Sequence, residues 1–473
     1  MRRSLSSAPF SPSTEGRMIE VGALVVLVVS IGTFWLSWNL VAGGLGALGA
    51  LVLMAVVSIV AIRSTARHAD TAGLAAILTW GLGVKLAGTL ARYTVSRAVY
   101  GTGDSIEYQT AGGILGSRIH AGVWTLAGTT LDGRPTGTQA VARVLGAIYS
   151  VTGSSQIIGY AVFSWLGWLG LVCFYRAFRL FLPDVASKPF ALLLFFLPTL
   201  VYWPSAIGKE ALMLCLLGLG TLGIARLLTT QRAVLGLLWV VFSAVGIAWI
   251  RPHVALLLLG ATVIGVLVQN PGQGRVRSRV VRGLVLLLLI PGLVVSMSRV
   301  DHIFGSASDE GVSSVLAETT RRTTTGGSSF DAQPVRSPAD FPQATISVLL
   351  RPYPWQASGV PALIASLEGV VLVGLLVVNA RKLARLPRLA WRRSGVAFGL
   401  AYLTLFIVAF SNIGNAGILA RQRTQVMPFL LLAVCAVAGA SAIEEPEGHE
   451  SVSEGAPPKV SAARRFVPGT TSA

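Results

Sequence analysis

The sequence predicts an all-α integral membrane protein with about twelve transmembrane helices, or eleven to thirteen if a short run is re-entrant. Of the 473 residues, 53% are hydrophobic and only 12% are charged, and the mean hydropathy is +0.69. The charged share is about half that of a typical soluble domain. Apolar runs of about 20 residues, the length that crosses a bilayer as a helix, recur along the chain. This composition excludes a soluble enzyme, a disordered protein and a small secreted domain built on disulfides.

The apolar runs define a membrane domain over residues 18–442. The first run is too long for a signal-peptide core and a second follows at once, so we expect a retained helix. The flanking segments 1–17 and 443–473 are rich in Ser, Pro, Gly and charge and are predicted to be disordered tails. The predicted helices cover residues 18–38, 41–62, 72–91, 156–175, 189–203, 207–226, 233–250, 254–269, 283–298, 358–379, 394–412 and 424–442.

The formal charge of +18 orients these helices in the membrane. Most of the 38 Lys and Arg residues fall on alternate connections and on both tails, and such a bias marks the cytoplasmic side. Both termini are therefore expected in the cytoplasm of a multi-pass protein of the plasma membrane, with long extracytoplasmic loops at 92–155 and 299–357. This bias accounts for the net positive charge as a feature of membrane topology. The expected partner is therefore the lipid bilayer, and no nucleic-acid partner is predicted.

A minority of cations lie on the predicted outer side, and some occupy short turns where the charge bias disfavours them. Lys209, Arg421 and Arg423 also lie near predicted helix N-termini, where the helix dipole disfavours a cation by about 0.3–1 kcal/mol. Arg251 lies in another short turn. Such cations need an anionic partner, either a protein carboxylate or a ligand phosphate.

The first long loop carries the candidate catalytic carboxylates. Asp104, Glu107, Tyr108 and Ala111 have the i, i+3, i+4, i+7 spacing of one helix face. A carboxylate aimed into an outer cavity could take the proton from an attacking hydroxyl group, and Tyr108 would bind substrate beside it. The alternative is a capping box, in which the Asp104 side chain caps the helix N-terminus and the Glu107 side chain hydrogen-bonds back to the N-cap backbone.

Two further outer turns carry candidate phosphate ligands. Pro204 ends one helix, Ser205 could cap the next, and Lys209 would then face the cavity as a point charge. Arg251 could bind a phosphate or pyrophosphate at its turn. The alternatives are snorkelling of Lys209 at the membrane interface and a helix C-cap role for Arg251.

The second long loop offers another anion-binding pattern. The Gly326-Gly327-Ser328-Ser329 run presents backbone N–H groups and hydroxyls to an anion. Arg351, followed by Tyr353 and Trp355, could hold a sugar phosphate at the headgroup level. The alternative for this segment is a proline-stiffened re-entry of the chain with an aromatic belt.

Two ionisable residues fall inside predicted helices. Glu368 lies well within one span and Lys85 within another, and intramembrane charges are commonly paired. We expect a structural Lys85–Glu368 ion pair. No Cys/His cluster, Walker motif or catalytic Ser elbow is present, so no cofactor is expected and ATP-driven transport is disfavoured, while a divalent metal stays open.

Several of these motifs look familiar when taken together. The segment Gly103-Asp104-Ser-Ile-Glu-Tyr108-x-x-Ala111 resembles the first-outer-loop acidic motif of the GT-C superfamily of membrane glycosyltransferases. Its order with the later segments is similar to multi-span proteins of bacterial surface-polysaccharide clusters. Those segments are Trp-Pro-Ser-x-x-Gly-Lys-Glu, Gly-Gly-Ser-x-Phe, Arg-Pro-x-Pro-Trp and Asn-x-Gly-x-x-x-Arg-x-Arg-x-x-x-x-Pro.

The resemblance implies a GT-C-like fold and an extracytoplasmic glycosyltransferase of the inverting type. Its donor would be a polyprenyl-phosphate-linked sugar, and its acceptor a cell-envelope glycan or lipid. Asp104 would be the base, and Arg421 or Arg423 would hold the lipid phosphate. Two alternatives stay open: a polymerase or ligase of lipid-linked oligosaccharides, and a flippase or transporter of glycolipids.

Overall fold

The computed structural model describes residues 44–67, 73–100, 103–229, 232–268, 328–357 and 359–443, with a few isolated positions outside these ranges. These residues form helices joined by short connections, and they contain no β-strand. The predicted spans 18–38 and 283–298, both tails and residues 299–327 lie outside the described residues. The helices are α1 (Gly44–Ala66), α2 (Leu74–Val95), α3 (Asp104–Ile119), α4 (Thr136–Thr152), α5 (Gln156–Phe181), α6 (Lys188–Phe196), α7 (Pro198–Tyr202), α8 (Lys209–Leu228), α9 (Ala233–Ile250), α10 (Pro252–Val268), α11 (Phe341–Leu350), α12 (Val360–Val378), α13 (Ala380–Leu383), α14 (Leu386–Arg392), α15 (Ser394–Phe410), α16 (Ala416–Gln422) and α17 (Met427–Ile443).

Six helices in the described ranges are long and apolar enough to cross a membrane, which supports a multi-pass helical membrane protein. They are α1, α2, α5, α8, α9 and α12. Helices α10 and α15 are apolar but shorter, at 17 residues each. The chain from α16 to α17 adds a seventh candidate, bent by 58°. About twelve spans remain a prediction, because two predicted spans lie outside the described residues.

Helices α5 and α8 form the centre of the bundle, and glycines let their backbones meet. A Cβ on Gly170 of α5 would lie 2.7 Å from the Cα of Cys215 in α8. A Cβ on Gly218 of α8 would lie 2.8 Å from the Cα of Gly170. Small residues at such crossings permit the close packing that holds membrane helices together where lipid offers no hydrophobic contrast.

The predicted span 189–203 is a broken helix. Helix α6 ends at Phe196, and Pro198 starts the short helix α7 because proline has no N–H to continue the hydrogen-bond ladder. The peptide before it is extended at Leu197, as a residue preceding proline usually is. The predicted loop 92–155 is likewise mostly helical, because α2 continues through a π-helical turn to Tyr100 and α3 packs along α4.

The predicted cytoplasmic cations gather at one end of the bundle, called here the basic end. Arg176 near the end of α5 donates to Thr65 near the end of α1, over 2.8 Å. Arg226 in the last turn of α8 lies 4.0 Å from the ring centroid of Trp239. Arg393, before α15, makes a bidentate ion pair with Asp184, with nitrogen–oxygen distances of 2.9 and 2.5 Å.

The Asp184–Arg393 pair predicts a small acid-dependent contribution to stability. Hydrogen bonds from Arg393 lower the pKa of Asp184 below its ordinary value of 3.8. A lowered folded-state pKa stabilises the protein above the unfolded value and loses this effect as the pH falls through the folded value. Both side chains are more than one third exposed, so we expect Asp184→Asn to cost only about 0.2–1 kcal/mol at pH 7.

Thermal unfolding in detergent at pH 7 and at pH 3 checks this expectation. The difference between wild type and Asp184→Asn should shrink at the lower pH. Asp331→Asn, which removes a carboxylate at another exposed position, is the matched control for the loss of one charge. A difference that grows on acidification would contradict the role of the ion pair.

Candidate functional site

The other end of the bundle brings the sequence motifs together, and is called here the motif end. It is formed by the end of α2, the starts of α3, α4 and α8, the end of α9 and the helix α16. Side chains from these elements make a set of polar contacts, joined in two places through residues adjacent in the chain, and this set is called here the polar ring. Its members are Asp104, Tyr108, Thr138, Lys209, Glu210, Arg251, Arg421 and Gln422.

Asp104 meets Arg421 across the ring, although more than three hundred residues separate them in sequence. The Arg421 Nη1 lies 3.5 Å from the Asp104 Oδ2. The carboxylate side chain is 72% exposed and the arginine side chain 41%, so solvent and ligands reach both. The structure therefore places the predicted base beside a predicted phosphate ligand.

The capping-box alternative for Asp104 and Glu107 is wrong. Gly103 occupies the N-cap of α3 with φ of 132°, a conformation that glycine adopts without strain, and no side chain caps the helix. Asp104 is thus the first helical residue and its carboxylate is left for Arg421. Glu107 lies one turn later on the same helix and is exposed.

The second part of the ring lies deeper. Arg251, the residue after α9, approaches Glu210 of α8 with an Nη2–Oε1 distance of 3.3 Å. Its Nη1 donates to the Oε1 of Gln422 over 2.5 Å. The Arg251 and Glu210 side chains are 11% and 16% exposed. Because Gln422 follows Arg421, this arginine–glutamate pair also fixes the helix that carries Arg421.

Lys209 and Tyr108 are connected through Thr138. The Lys209 Nζ donates to the Thr138 Oγ1 over 3.0 Å, and Thr138 is also hydrogen-bonded to Tyr108. Tyr108 is only 4% exposed, so it supports the ring from within instead of presenting its face to a ligand. Burial raises the pKa of Tyr108, and the charges of Asp104 and Glu210 raise it further, so its hydroxyl stays protonated.

Gly137 allows the start of α4, which carries Thr138, to approach the end of α9. A Cβ on Gly137 would overlap the carbonyl oxygen of Ile250, the last residue of α9.

The predicted Ser205 cap is wrong, because Gly208 is the N-cap of α8 and Ser205 hydrogen-bonds the Val201 carbonyl. Lys209 starts α8 without a capping side chain beside it.

The second predicted loop joins the ring through a backbone bridge. The Phe330 N–H donates to the Gly414 carbonyl over 2.8 Å. The Ser328 hydroxyl donates to the Asn415 Oδ1 over 3.0 Å, and the same oxygen caps α16 at Ile418. Ser328 therefore orders the start of the helix that presents Arg421. Arg321, Arg322, Gly326 and Gly327 lie outside the described residues.

Arg351 is held among aromatic rings beyond this bridge. Its guanidinium carbon lies 3.8 Å from the Phe330 ring centroid and 4.8 Å from that of Tyr353. Trp355 is 80% exposed and its ring centroid lies 5.1 Å from that of Tyr353. This arrangement fits the predicted aromatic belt, and the described contacts link Arg351 to the ring only through Phe330.

Arg423 does not belong to the exposed site, contrary to its prediction as a phosphate ligand. Its side chain is fully buried, and its Nη2 lies 3.9 Å from the Glu368 Oε1. It also donates to the carbonyls of Leu349 and Ala365, over 2.9 and 3.2 Å. Its Nη2 also donates to the Thr199 Oγ1 of α7, so this guanidinium joins three helices, and its removal would leave Glu368 buried without a cation.

The predicted Lys85–Glu368 ion pair is also wrong. Glu368 accepts the Thr199 N–H at the start of α7 over 2.5 Å, and its cation is Arg423. Lys85 donates to the carbonyls of Leu200 and Val201, toward the other end of α7, over 2.6 and 3.3 Å. The two charges therefore bracket one short helix, with the carboxylate at its positive end and the ammonium at its negative end.

Sequence reasoning gave no role to Thr138, Glu210 or Gln422. Glu210 adjoins Lys209 and could have been noticed as its acidic neighbour, but nothing in the sequence marks Thr138 or Gln422.

Within the described ranges no group of three or more His, Cys, Asp or Glu residues could hold a metal ion. No family model, no curated protein and no solved structure matches the chain.

Proposed function

We propose that this protein is a membrane glycosyltransferase that transfers a sugar from a polyprenyl-phosphate donor to a cell-envelope glycan or lipid. The reaction would take place on the extracytoplasmic side of the plasma membrane. The observation that carries the proposal is the Asp104–Arg421 contact, at 3.5 Å, at the rim of a ring that also holds Lys209 and Arg251. A proton acceptor thus lies beside several cations, which is what transfer from a phosphate leaving group needs.

The proposed chemistry assigns one step to each part of the ring. An Asp104 carboxylate oxygen takes the proton of the acceptor hydroxyl as the hydroxyl oxygen attacks the anomeric carbon. The bond from that carbon to the phosphate oxygen breaks, and the polyprenyl phosphate leaves with the electron pair. Arg421 and Lys209 stabilise the charge that develops on the phosphate, and Arg251 holds them in register through Gln422 and Glu210.

The experiment is glycosyl transfer by purified, folded protein with a radiolabelled polyprenyl-phosphate sugar and an envelope-glycan acceptor. Asp104→Asn is expected to lower the transfer rate about 10²–10⁴-fold, the usual contribution of a positioned base. Glu107→Gln, one helical turn away and also exposed, is the matched variant and should retain most activity. Full activity of Asp104→Asn would overturn the base assignment.

Product analysis in the same assay separates transfer of one sugar from polymerisation. One added sugar per acceptor supports a glycosyltransferase that makes single additions. A ladder of products, with Asp104→Asn still active, would instead identify a polymerase or ligase that relies on its arginines.

A second candidate function, transport of a glycolipid, is favoured by the interrupted helices. The break between α6 and α7 and the bend between α16 and α17 meet at the buried Glu368–Arg423 pair. Discontinuous helices whose ends face charged groups often form transport sites. Movement of an intact fluorescent lipid-linked glycan across proteoliposomes, without formation of a glycosidic bond, would support this candidate over the first.

A further inference from the structure

Beside Asp104, a second set of side chains combines cations with aromatic rings. It is called here the aromatic–arginine patch and consists of Arg92, Tyr93, Arg97, Tyr202 and Trp203. Arg92 and Tyr93 lie in the last turn of α2 and Arg97 in the π-helical turn that follows it, while Tyr202 ends α7 and Trp203 comes directly after it. None of them was predicted as a site residue, and the hydrogen bonds and ion pairs described for the polar ring do not involve them.

Each arginine of the patch is held by a ring. The Arg92 guanidinium carbon lies 4.8 Å from the Tyr202 ring centroid and 5.3 Å from that of Trp203. Arg97 lies 5.5 Å from the Tyr93 centroid and donates to the Tyr93 hydroxyl over 2.7 Å. Among the described residues, neither arginine has a carboxylate within 4.0 Å. Arg97 therefore presents a positive charge with no carboxylate partner among the described residues, while the charge of Arg92 also acts on Glu210 of the polar ring.

Hydrogen bonds tie the patch to the candidate base. The Tyr93 and Tyr160 rings meet edge to face at a centroid distance of 5.9 Å. Tyr160, fully buried, donates to the Ser105 Oγ over 2.9 Å, and Ser105 is also 3.3 Å from the Ser96 Oγ. Ser105 directly follows Asp104. A ligand lying on the patch would thus be next to the start of α3, where Asp104 meets Arg421.

The exposure of these residues leaves room for a ligand. Arg97 is exposed, while Arg92, Tyr93, Tyr202 and Trp203 are half-buried. Aromatic rings offer flat apolar faces against which the C–H face of a sugar ring packs. A guanidinium binds a carboxylate through two parallel hydrogen bonds, which lysine cannot do.

From this geometry we infer that the aromatic–arginine patch is the acceptor subsite and that it binds an acidic saccharide, one whose sugar rings carry carboxylates. The inference rests on the proposed glycosyl transfer and adds the chemical class of the acceptor. Tyr93, Tyr202 and Trp203 would pack against the sugar rings, and Arg92 and Arg97 would pair with their carboxylates. The acceptor hydroxyl would then reach Asp104, while the donor phosphate would lie against Arg421 and Lys209.

Binding of two trisaccharide probes tests the inference in the full-length protein reconstituted in nanodiscs. Trigalacturonate carries a carboxylate on each ring, and maltotriose is a neutral comparison of the same length. Titration calorimetry should show tighter binding of trigalacturonate than of maltotriose. Arg97→Gln should weaken trigalacturonate binding about tenfold, the effect of losing one charge-assisted contact, and leave maltotriose unchanged.

Arg134→Gln is the matched control, because Arg134 is another exposed arginine, in the turn that leads to α4. It removes the same charge outside the patch and should leave both affinities unchanged. Equal binding of the two probes, no binding of trigalacturonate, or equal effects of Arg97→Gln and Arg134→Gln would each overturn the inference.

The outcome is separable from that of the proposed function. Asp104→Asn should bind trigalacturonate as wild type does, because Asp104 acts on the hydroxyl proton and contributes no positive charge to the patch. Loss of transfer in Asp104→Asn without any preference for the acidic probe would overturn the subsite and leave the glycosyltransferase standing. A preference for the acidic probe with full transfer in Asp104→Asn would support the subsite and overturn the base.

Discussion

Replacing Arg423 by methionine is expected to destabilise the protein by about 3–5 kcal/mol, the cost of leaving a buried charge without its partner. The substitution removes the cation 3.9 Å from Glu368 and the donors to the Leu349 and Ala365 carbonyls. The Glu368 carboxylate would remain buried with only the N–H and hydroxyl of Thr199 to stabilise it. Helices α7, α11, α12 and α16 would all lose their common contact.

The measurement is equilibrium unfolding of the purified protein in mixed detergent micelles. Arg421→Met is the matched control, because it makes the same change two residues earlier at a side chain that is 41% exposed. Its cost should stay within about 1 kcal/mol, as for other exposed ion pairs. The double variant Arg423→Met with Glu368→Gln should recover part of the loss. Equal losses of unfolding free energy in Arg421→Met and Arg423→Met would contradict the conclusion that Arg423 is a buried ion-pair partner and Arg421 an exposed site residue.

The second large effect is expected where α5 crosses α8. Gly170→Ala would place a Cβ 2.7 Å from the Cα of Cys215 and closer still to the Leu214 carbonyl. Because both atoms belong to a helix backbone, they cannot move aside as a flexible side chain could, and the helices must separate. Overpacking of this kind costs about 1–3 kcal/mol, and occasionally more.

Gly374→Ala in α12 is the control, because nothing lies within 4 Å of its added Cβ. Alanine has the higher helix propensity, by about 0.8–1.0 kcal/mol, so this variant should be neutral or more stable. Gly170→Ala should therefore lower the unfolding temperature, while Gly374→Ala should leave it unchanged or raise it. A shift of the same sign and size in both would mean that close contact between α5 and α8 does not stabilise the fold.

Hydropathy and charge predicted much of this architecture, because both are local properties of the chain. The runs that predicted spans at 156–175, 207–226 and 233–250 coincide closely with α5, α8 and α9. The interruption in the span 189–203 was harder to predict, since the break depends on Pro198 within an otherwise apolar run. Within the predicted loop 92–155, the spacing of Asp104, Glu107, Tyr108 and Ala111 predicted a helix where α3 begins, but α4 was missed because it is too polar to be recognised as a span.

The candidate site shows where the sequence stops being informative. Arg421 and Arg423 look alike in the sequence, yet a separation of two residues turns them about 200° apart on a helix, so only one can face the surface. Lys85 and Glu368 both lie well inside predicted spans, as the members of a buried ion pair would. Hydropathy, however, does not reveal which helices are neighbours. Only packing shows that α12 contacts α7 and α16, and that Glu368 therefore meets Arg423.

The position of Glu368 between the N-terminus of α7 and Arg423 restricts which substitutions related sequences can carry. The carboxylate of Glu368, the N-terminus of α7 and the guanidinium of Arg423 form one electrostatic unit, so a neutral residue at either charged position favours a neutral residue at the other. Arg421 is under no such constraint and is free to change with the ligand. In related sequences, positions 368 and 423 should therefore co-vary with each other, while position 421 should vary with position 104 and with the chemistry of the substrate.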